Sequence, residues 1–242
     1  MRRVPVVLLL VAALLALVLT GIRRSDPDEQ SALQAPAAEM ARSAAPEVLS
    51  PDPKLDRTGR PVIVAFGNSL TAGHGVDPDR NYPSQLQALL DELGYRYRVV
   101  NAGVSGELTA GGLNRVDEVL AHEPEIVILE LGANDGMQAR PAEEVRADLA
   151  AIIARLQEAG VTVLLAGMRA PPNHGPEYEE AFAQIYPDLA AEYGVPLIPF
   201  FLEGVAGSPY LNQRDGIHPT AEGYAIVVRT VLSELEPLLR RP

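Results

Sequence analysis

A buried strand followed by a tight turn is encoded in Pro61-Val62-Ile63-Val64-Ala65-Phe66-Gly67-Asn68-Ser69-Leu70-Thr71-Ala72-Gly73. The apolar run from Pro61 to Phe66 is continuous rather than alternating, as in a strand that is covered on both faces. Gly67 ends the run, and Ser69 follows between small side chains. The stretch therefore predicts a strand that passes into a helix through a turn, with Ser69 at that turn.

Apolar runs of the same kind alternate with helical patterns over the rest of the chain. The predicted strands cover 62–66, 96–101, 126–131, 161–166 and 195–199. The predicted helices cover 82–93, 108–122, 141–158, 176–193 and 220–239. Pro187 is expected to kink the fourth helix or break it in two. This alternation predicts an α/β fold, a flavodoxin-like three-layer α/β/α sandwich with a five-stranded parallel sheet.

The N-terminal part of the chain differs in composition from the rest. Residues 1–24 contain an apolar run, 4–22, with arginines on both sides. Its length is close to the roughly 20 residues that span a bilayer, and no clear small-x-small cleavage site follows it. A membrane anchor and a cleaved signal peptide both remain open. Either one predicts export, because the positive end stays inside. We expect a periplasmic or other extracytoplasmic protein, which is anchored to the membrane by 4–22 if that segment is not cleaved.

The remaining chain divides into a linker and one domain. Residues 25–59 are rich in Ala, Pro and acidic side chains without periodicity, which predicts a disordered linker. Residues 60–242 have a length that suits a single domain. The net charge of −12 argues against nucleic acid as a partner. No histidine pair has metal-site spacing and no dinucleotide motif follows the first strand, so neither a metal nor a cofactor is expected. We expect a monomer.

Three residues have the chemistry of an activated nucleophile. A serine hydroxyl reacts well only when a neighbouring base takes its proton. Asp215 and His218 lie three residues apart in one loop before the last predicted helix, so that a carboxylate and an imidazole can lie side by side. Taken alone, Ser69 is as typical of a helix N-cap as of a nucleophile. Taken alone, Asp215 with His218 is typical of a turn before a helix. Together they predict a nucleophile, a base and the carboxylate that orients the base.

Two further residues follow neighbouring strands and could bind a developing oxyanion. Gly106 comes after the second strand and Asn134 after the third. Because the carboxyl ends of parallel strands meet at one edge, we expect both beside Ser69. The Gly106 N–H, the Asn134 amide and the Ser69 N–H would be the donors. Asp135 is expected to fix the Asn134 loop, and Glu107 to be a solvated charge.

Four blocks of this sequence resemble the ordered motifs of the GDSL/SGNH hydrolases. They are Gly67-Asn68-Ser69-Leu70, Ser105-Gly106-Glu107, Gly132-Ala133-Asn134-Asp135 and Asp215-Gly216-Ile217-His218-Pro219. The similarity covers about residues 60–240 and is greatest to the branch of periplasmic multifunctional thioesterases, lysophospholipases and arylesterases. It implies Ser69 as nucleophile, His218 as base and Asp215 as its orienter, with Ser69, Gly106 and Asn134 as the oxyanion hole.

One departure from the family pattern is Asn68, which stands where the family has an aspartate. Asparagine keeps the shape and one acceptor oxygen but loses the charge. That aspartate is not one of the three residues named above, so we expect the chemistry to survive.

The resemblance implies a serine esterase that hydrolyses acyl esters or thioesters through an acyl-enzyme, without a cofactor. Its substrates would be lysophospholipids or other small acyl esters, and it would touch the membrane through an uncleaved N-terminal segment. A carbohydrate O-acetylesterase of the same family is an alternative, although the chain has no Trp for stacking on a sugar. A membrane-tethered, non-catalytic binding protein is the other.

Overall fold

The computed structural model describes residues 59–241. The predictions for residues 1–24 and for nearly all of 25–59 therefore lie outside the described residues. Within the described part of the chain, no helix is both long and apolar enough to cross a bilayer.

Five parallel strands form one sheet in the order β2-β1-β3-β4-β5. They are β1 Val62–Gly67, β2 Arg98–Gly103, β3 Pro124–Glu130, β4 Thr162–Ala166 and β5 Leu197–Ile198. The two central strands, β1 and β3, are buried at almost every position, and each fully buried aliphatic side chain contributes about 1.5–3 kcal/mol. The strand order reverses between β1 and β3, which places a crevice at their carboxyl ends.

Eight α-helices cover the two faces of the sheet in the described chain. They are α1 Ser69–Ala72, α2 Tyr82–Glu92, α3 Thr109–Asn114, α4 Val116–Leu120, α5 Ala133–Met137, α6 Ala142–Glu158, α7 Pro176–Tyr193 and α8 Ala221–Leu235, with 3₁₀ turns at Pro172–His174 and Glu236–Leu238. Helices α2 and α8 pack together on one side, whereas α6 contacts α3, α4 and α7 on the other. The predicted three-layer α/β/α architecture is confirmed.

Several predicted boundaries were wrong, each for a local reason. The helix expected over 108–122 divides at Arg115, whose backbone leaves the helical region. Strand β2 lies two residues later than predicted, in register with β1. Strand β5 has only two residues, because Pro196 and Pro199 flank it and lack an N–H for the ladder. Pro187 does not break α7. It lies on the exposed face of α7, opposite a buried row of Phe182, Ile185, Tyr186 and Leu189.

Candidate active site

Ser69 is held at the carboxyl end of β1 by a turn that only small residues can form. The Asn68 side chain accepts a hydrogen bond from the Leu70 N–H at 2.9 Å and so caps α1, whose first residue is Ser69. Gly67 must lack a side chain, because a Cβ there would come within 2.5 Å of the Glu130 carbonyl oxygen. Ser69 keeps 8% of its surface exposed, which leaves its hydroxyl open to the crevice.

A line of hydrogen bonds joins Ser69 to the loop before α8. His218 Nε2 lies 2.9 Å from Ser69 Oγ, and His218 Nδ1 lies 2.7 Å from Asp215 Oδ2. The other carboxylate oxygen accepts from the backbone N–H groups of Ile217 at 2.9 Å and His218 at 3.1 Å. The hydrogen bond from His218, reinforced by these two N–H groups, lowers the pKa of Asp215 well below its usual range. The structure thus brings together the three residues that the sequence singles out.

The contact with Asp215 determines what His218 can do. An ionised carboxylate only accepts hydrogen bonds, so the proton of a neutral His218 ring belongs on Nδ1. Nε2 then presents its lone pair to the Ser69 hydroxyl. This arrangement can take a proton from the serine and later release it to a leaving group.

The loop that carries Asp215 and His218 is a narrow antiparallel loop. Asn212 and Pro219 form a β-bridge across it, and the Gln213 N–H donates to the His218 carbonyl at 2.7 Å. Gly216 at its tip has φ +72°, a conformation that favours glycine. Sequence reasoning did not identify Gln213, although it lies only two residues before Asp215.

Asn134 and the turn after β2 form the second wall of the site. Asn134 lies in α5, is 8% exposed, and donates from Nδ2 to the Glu107 carbonyl at 2.9 Å. One amide N–H of Asn134 remains for another acceptor. Gly106, with φ +81°, is exposed in the neighbouring turn. Among residues 59–241, neither the Gly106 nor the Ser69 N–H donates to a backbone carbonyl, which leaves both available for a ligand.

The expectation that Glu107 is a solvated charge was wrong. Its side chain is 7% exposed and forms an ion pair with Arg115, which is 13% exposed. Arg115 Nε lies 2.7 Å from Glu107 Oε1, and Arg115 also donates to the carbonyls of Gly67 and Ala102. Its guanidinium lies 4.5 Å from the centre of the Phe66 ring. Arg115 therefore ties the ends of β1 and β2 to the Gly106 turn, and its inward direction accounts for the break between α3 and α4.

Asp135 anchors α5 from below, as the sequence interpretation expected. It is fully buried and accepts from the Thr109 N–H at 3.0 Å and the Thr109 hydroxyl at 2.8 Å. Arg140 reaches it at 2.6 Å and also contacts Asp148 at 3.2 Å. These bonds hold the helix that carries Asn134 against α3 and α6.

Glu130, at the end of β3, is a fully buried acid that sequence reasoning missed. It accepts hydrogen bonds from Asn68 Nδ2 at 2.8 Å, Thr71 Oγ1 at 2.7 Å and the Asn68 N–H at 3.3 Å. Burial raises the pKa of Glu130 to about 8 despite these bonds. The available signal was a single acid ending an otherwise apolar strand. Asn68, which replaces the family aspartate, thus supplies an amide donor to this carboxyl group.

An apolar pocket of about 420 Å³ opens beside Ser69 and Asn134. Its walls include Met137, Met168, Pro171, Phe200, Leu202 and Ile217. A cavity of about 480 Å³ at the amino ends of β1 and β3 is polar and distant from Ser69. No cluster of three or more potential metal ligands occurs between residues 59 and 241. Of these two cavities in the described chain, the one beside Ser69 fits a small apolar ligand.

Comparison with known proteins places this geometry in a family. Residues 65–226 match the model of the GDSL-like lipase/acylhydrolase family. The chain is 41% identical over 178 residues to esterase TesA of Pseudomonas aeruginosa, covering 73% of this chain and 89% of that protein. It is 36% identical over 178 residues to the thioesterase 1/protease 1/lysophospholipase L1 of Escherichia coli, covering 73% and 84%.

A crystal structure of TesA superposes with a TM-score of 0.71 at 41% identity, covering 74% of this chain and 99% of that one. The architecture, the family match and these two relatives agree over the same part of the sequence. The chain belongs to the GDSL-like lipase/acylhydrolase family.

Proposed function

We propose that this protein is a serine esterase in which Ser69 is the nucleophile, His218 the general base and Asp215 the residue that orients His218. The observation that carries the proposal is the continuous hydrogen-bonded line from Ser69 Oγ to Asp215, at 2.9 and 2.7 Å. Relatives named esterase, arylesterase and thioesterase support the same class of reaction.

The reaction proceeds in two steps. His218 Nε2 takes the Ser69 proton as the oxygen attacks the acyl carbon, and the carbonyl oxygen becomes an oxyanion. The N–H groups of Ser69 and Gly106 and the free amide N–H of Asn134 bind that oxyanion. The imidazolium then protonates the leaving alcohol or thiol, and an acyl-enzyme remains. Water attacks it with His218 again as base, which releases the acid and restores Ser69.

The pocket supports an acyl chain as the part of the substrate that is recognised. Met137, Met168 and Phe200 present apolar surface directly beside Ser69, and each methylene buried there contributes about 0.8 kcal/mol. We propose small acyl esters, acyl thioesters and lysophospholipids as substrates. The pocket offers more apolar room than an acetyl group fills, which favours this proposal over the O-acetylesterase alternative.

The test is hydrolysis of p-nitrophenyl esters by the full chain and by Ser69→Ala. We expect kcat to fall by on the order of 10⁴-fold or more in Ser69→Ala, because the nucleophile is lost. Ser233→Ala is the matched control, since Ser233 lies exposed in α8 and should leave the rate unchanged. Rates that equal the uncatalysed rate in both wild type and Ser69→Ala would support the non-catalytic binding protein, whereas equal rates above it would overturn Ser69 as the nucleophile.

A series of acetate, butyrate, octanoate and palmitate esters separates the substrate classes. We expect kcat/KM to rise from acetate to the longer chains as the pocket fills. A maximum at acetate would instead favour the O-acetylesterase.

We also propose that the protein is exported, monomeric, and either anchored by residues 4–22 or released by cleavage after them. The support is the arginine-flanked apolar run in the sequence. N-terminal sequencing of the exported protein distinguishes the two forms, and a native N-terminus on a membrane fraction would identify the anchor.

A further inference from the structure

We propose that Gln213 is a positioning residue that joins the nucleophile turn (residues 69–75) to the base loop (residues 211–219) and so fixes the distance between Ser69 and His218. This inference rests on the proposed function, because it concerns how the hydroxyl and its base are kept in register.

The side-chain amide of Gln213 bridges two parts of the chain that are far apart in sequence. Its Nε2 donates to the His74 carbonyl at 2.7 Å, across the gap to the nucleophile turn. The same nitrogen donates to the Pro219 carbonyl at 3.0 Å, within the base loop. The Gln213 backbone N–H donates to the His218 carbonyl at 2.7 Å. Gln213 thus binds the carbonyl of His74 in the nucleophile turn and the carbonyls of His218 and Pro219 in the base loop.

The nucleophile turn is shaped to receive this amide. Gly75 has φ +76°, and a Cβ at that position would lie 2.1 Å from Gln213 Oε1. A side chain at residue 75 would therefore displace the amide from both of its acceptors. Beside this hydrogen bond, the His74 ring packs against the His218 ring, with 4.6 Å between ring centres. Gly75 gives the Gln213 amide room and the His74 carbonyl accepts its hydrogen bond, so both residues belong to the contact that Gln213 forms.

Apart from the contact between the His74 and His218 rings, hydrogen bonds make few links between the two segments. Within residues 59–241, two hydrogen bonds cross between the nucleophile turn and the base loop: His218 with Ser69, and Gln213 with His74. Among the described residues, the Asp215 side chain forms hydrogen bonds with His218 and Ile217 of its own loop. Asp215 therefore sets the orientation of the imidazole within the loop, but it does not set the distance of that loop from Ser69. Gln213 can set that distance, because its amide is bonded to both segments.

The test replaces Gln213 by Met, which has a similar length and no donor, and separately by Glu, which adds an acceptor in place of the donors. We expect kcat for p-nitrophenyl butyrate to fall by on the order of 10- to 100-fold in both variants, because a shift of about 1 Å between reacting groups has an effect of that size. KM should change little, since the acyl pocket is formed by other residues.

A spectroscopic signal reports the same event without turnover. The proton between His218 Nδ1 and Asp215 Oδ2 gives a low-field NMR resonance when the loop is ordered. In Gln213→Met we expect this resonance to broaden or disappear.

Gln87→Met is the matched control. Gln87 in α2 also links separate segments, but at the amino end of β2: it donates to the Tyr97 carbonyl at 3.1 Å and accepts from the Val99 N–H at 2.7 Å. We expect it to lower the melting temperature about as much as Gln213→Met while leaving kcat and the NMR resonance unchanged.

The outcomes separate the two proposals. Equal activity in wild type and Ser69→Ala would overturn the esterase itself. Activity in wild type that is lost in Ser69→Ala but fully kept in Gln213→Met would overturn only the role of Gln213. The role of Gln213 would also be overturned if Gln213→Met lost activity only in proportion to its folded fraction. In that case the NMR resonance would be unchanged and Gln87→Met would lose as much activity.

Discussion

The two walls of this active site are built from different kinds of interaction. The oxyanion wall, formed by Asn134 and the Gly106 turn, is held in place by buried charges. Arg115 and Glu107 pair behind the Gly106 turn, and Asp135 and Arg140 pair beneath Asn134. Each of these groups would be costly to bury alone, so the wall is stable only when all partners are present.

The base loop has no such network. Asp215 keeps 38% of its side chain exposed, and the loop is held by a β-bridge, backbone hydrogen bonds and the neutral amide of Gln213. Loops of this kind contribute little to global stability, because few apolar contacts and no buried charges depend on them.

One active site can therefore depend on folding in two ways. Damage to the oxyanion wall should unfold the protein as well as inactivate it. Damage to the base loop should inactivate a protein that remains folded. Mutations on the two sides can therefore separate activity from stability.

The largest effect on activity is expected from Asp215→Asn. The asparagine can keep the loop shape but favours the wrong tautomer of His218, so we expect kcat to fall about 10⁴-fold. The melting temperature should fall only slightly, because more than a third of the Asp215 side chain is exposed and solvent screens its contacts. Ester hydrolysis and thermal unfolding of the same preparation measure both.

The control for this variant is Asp188→Asn, an exposed acid on α7 that should alter neither quantity. A large drop in the melting temperature of Asp215→Asn would show that the base loop is part of the stable core and would remove the contrast between the walls.

On the other wall, Arg115→Met should destabilise the protein by about 3–5 kcal/mol. The substitution leaves the buried Glu107 carboxylate without its counter-ion, and a broken buried pair has a cost of that size. Two carbonyls, of Gly67 and Ala102, also lose their donor. The free energy of unfolding in urea measures the loss.

Two comparisons test the origin of that loss. The double variant Arg115→Met with Glu107→Leu should recover part of it, since no unpaired charge remains. Arg80→Met breaks an exposed pair, Arg80–Glu222, whose side chains are 51% and 69% exposed, and should cost less than about 1 kcal/mol. Equal losses in Arg115→Met and Arg80→Met would contradict the assignment of the oxyanion wall to buried charge.

The sequence predicted the parts of the molecule that have a local signal. Continuous apolar runs indicated the parallel strands, and helical periodicity indicated the layers on both faces. Ser69, Gly106, Asn134, Asp215 and His218 could be proposed because each follows a strand or precedes a helix in a short motif. Their roles remain proposals, but their meeting at one edge of the sheet follows from parallel strand topology.

The residues that the sequence did not reveal act through partners that are distant in the chain. Glu130 reads as an ordinary strand-end acid until Asn68, 62 residues earlier, is seen to donate to it. Gln213 reads as a turn residue until its amide meets the His74 carbonyl, 139 residues away. The sequence places Glu107 in a loop, where a charge is expected to be solvated, whereas in the structure Arg115 pairs with it and both side chains are largely buried. A single sequence shows which side chains carry charge, but not which of them are buried in the folded protein.

Two carboxyl groups at the active site should give the protein opposite responses to pH: Glu130, which is bonded to Asn68 and Thr71 beside the nucleophile, and Asp215 in the base loop. Burial raises the pKa of Glu130 from its ordinary value of 4.5 to about 8. Between these values the folded protein holds a proton that the unfolded chain has released, so stability falls as the pH rises. The pKa of Asp215 is lowered instead. Its contribution is present above the unfolded value of 3.8 and is lost only as the pH falls further.

Glu130→Gln should therefore remove a slope of roughly 1.4 kcal/mol per pH unit from the free energy of unfolding across the window from 4.5 to about 8. This is the smallest of the expected effects at any one pH unit, and urea unfolding at intervals across that window measures it. Glu158→Gln, an exposed acid at the end of α6, should leave the slope unchanged. Asp215→Asn should change the pH dependence of stability only below pH 3.8. If the unfolding free energies of wild type and Glu130→Gln had the same slope between pH 4.5 and about 8, Glu130 would be ionised in its buried position. The site would then contain one more buried charge, bonded to Asn68 and Thr71 beside the nucleophile, and the contrast with the exposed base loop would be greater than proposed.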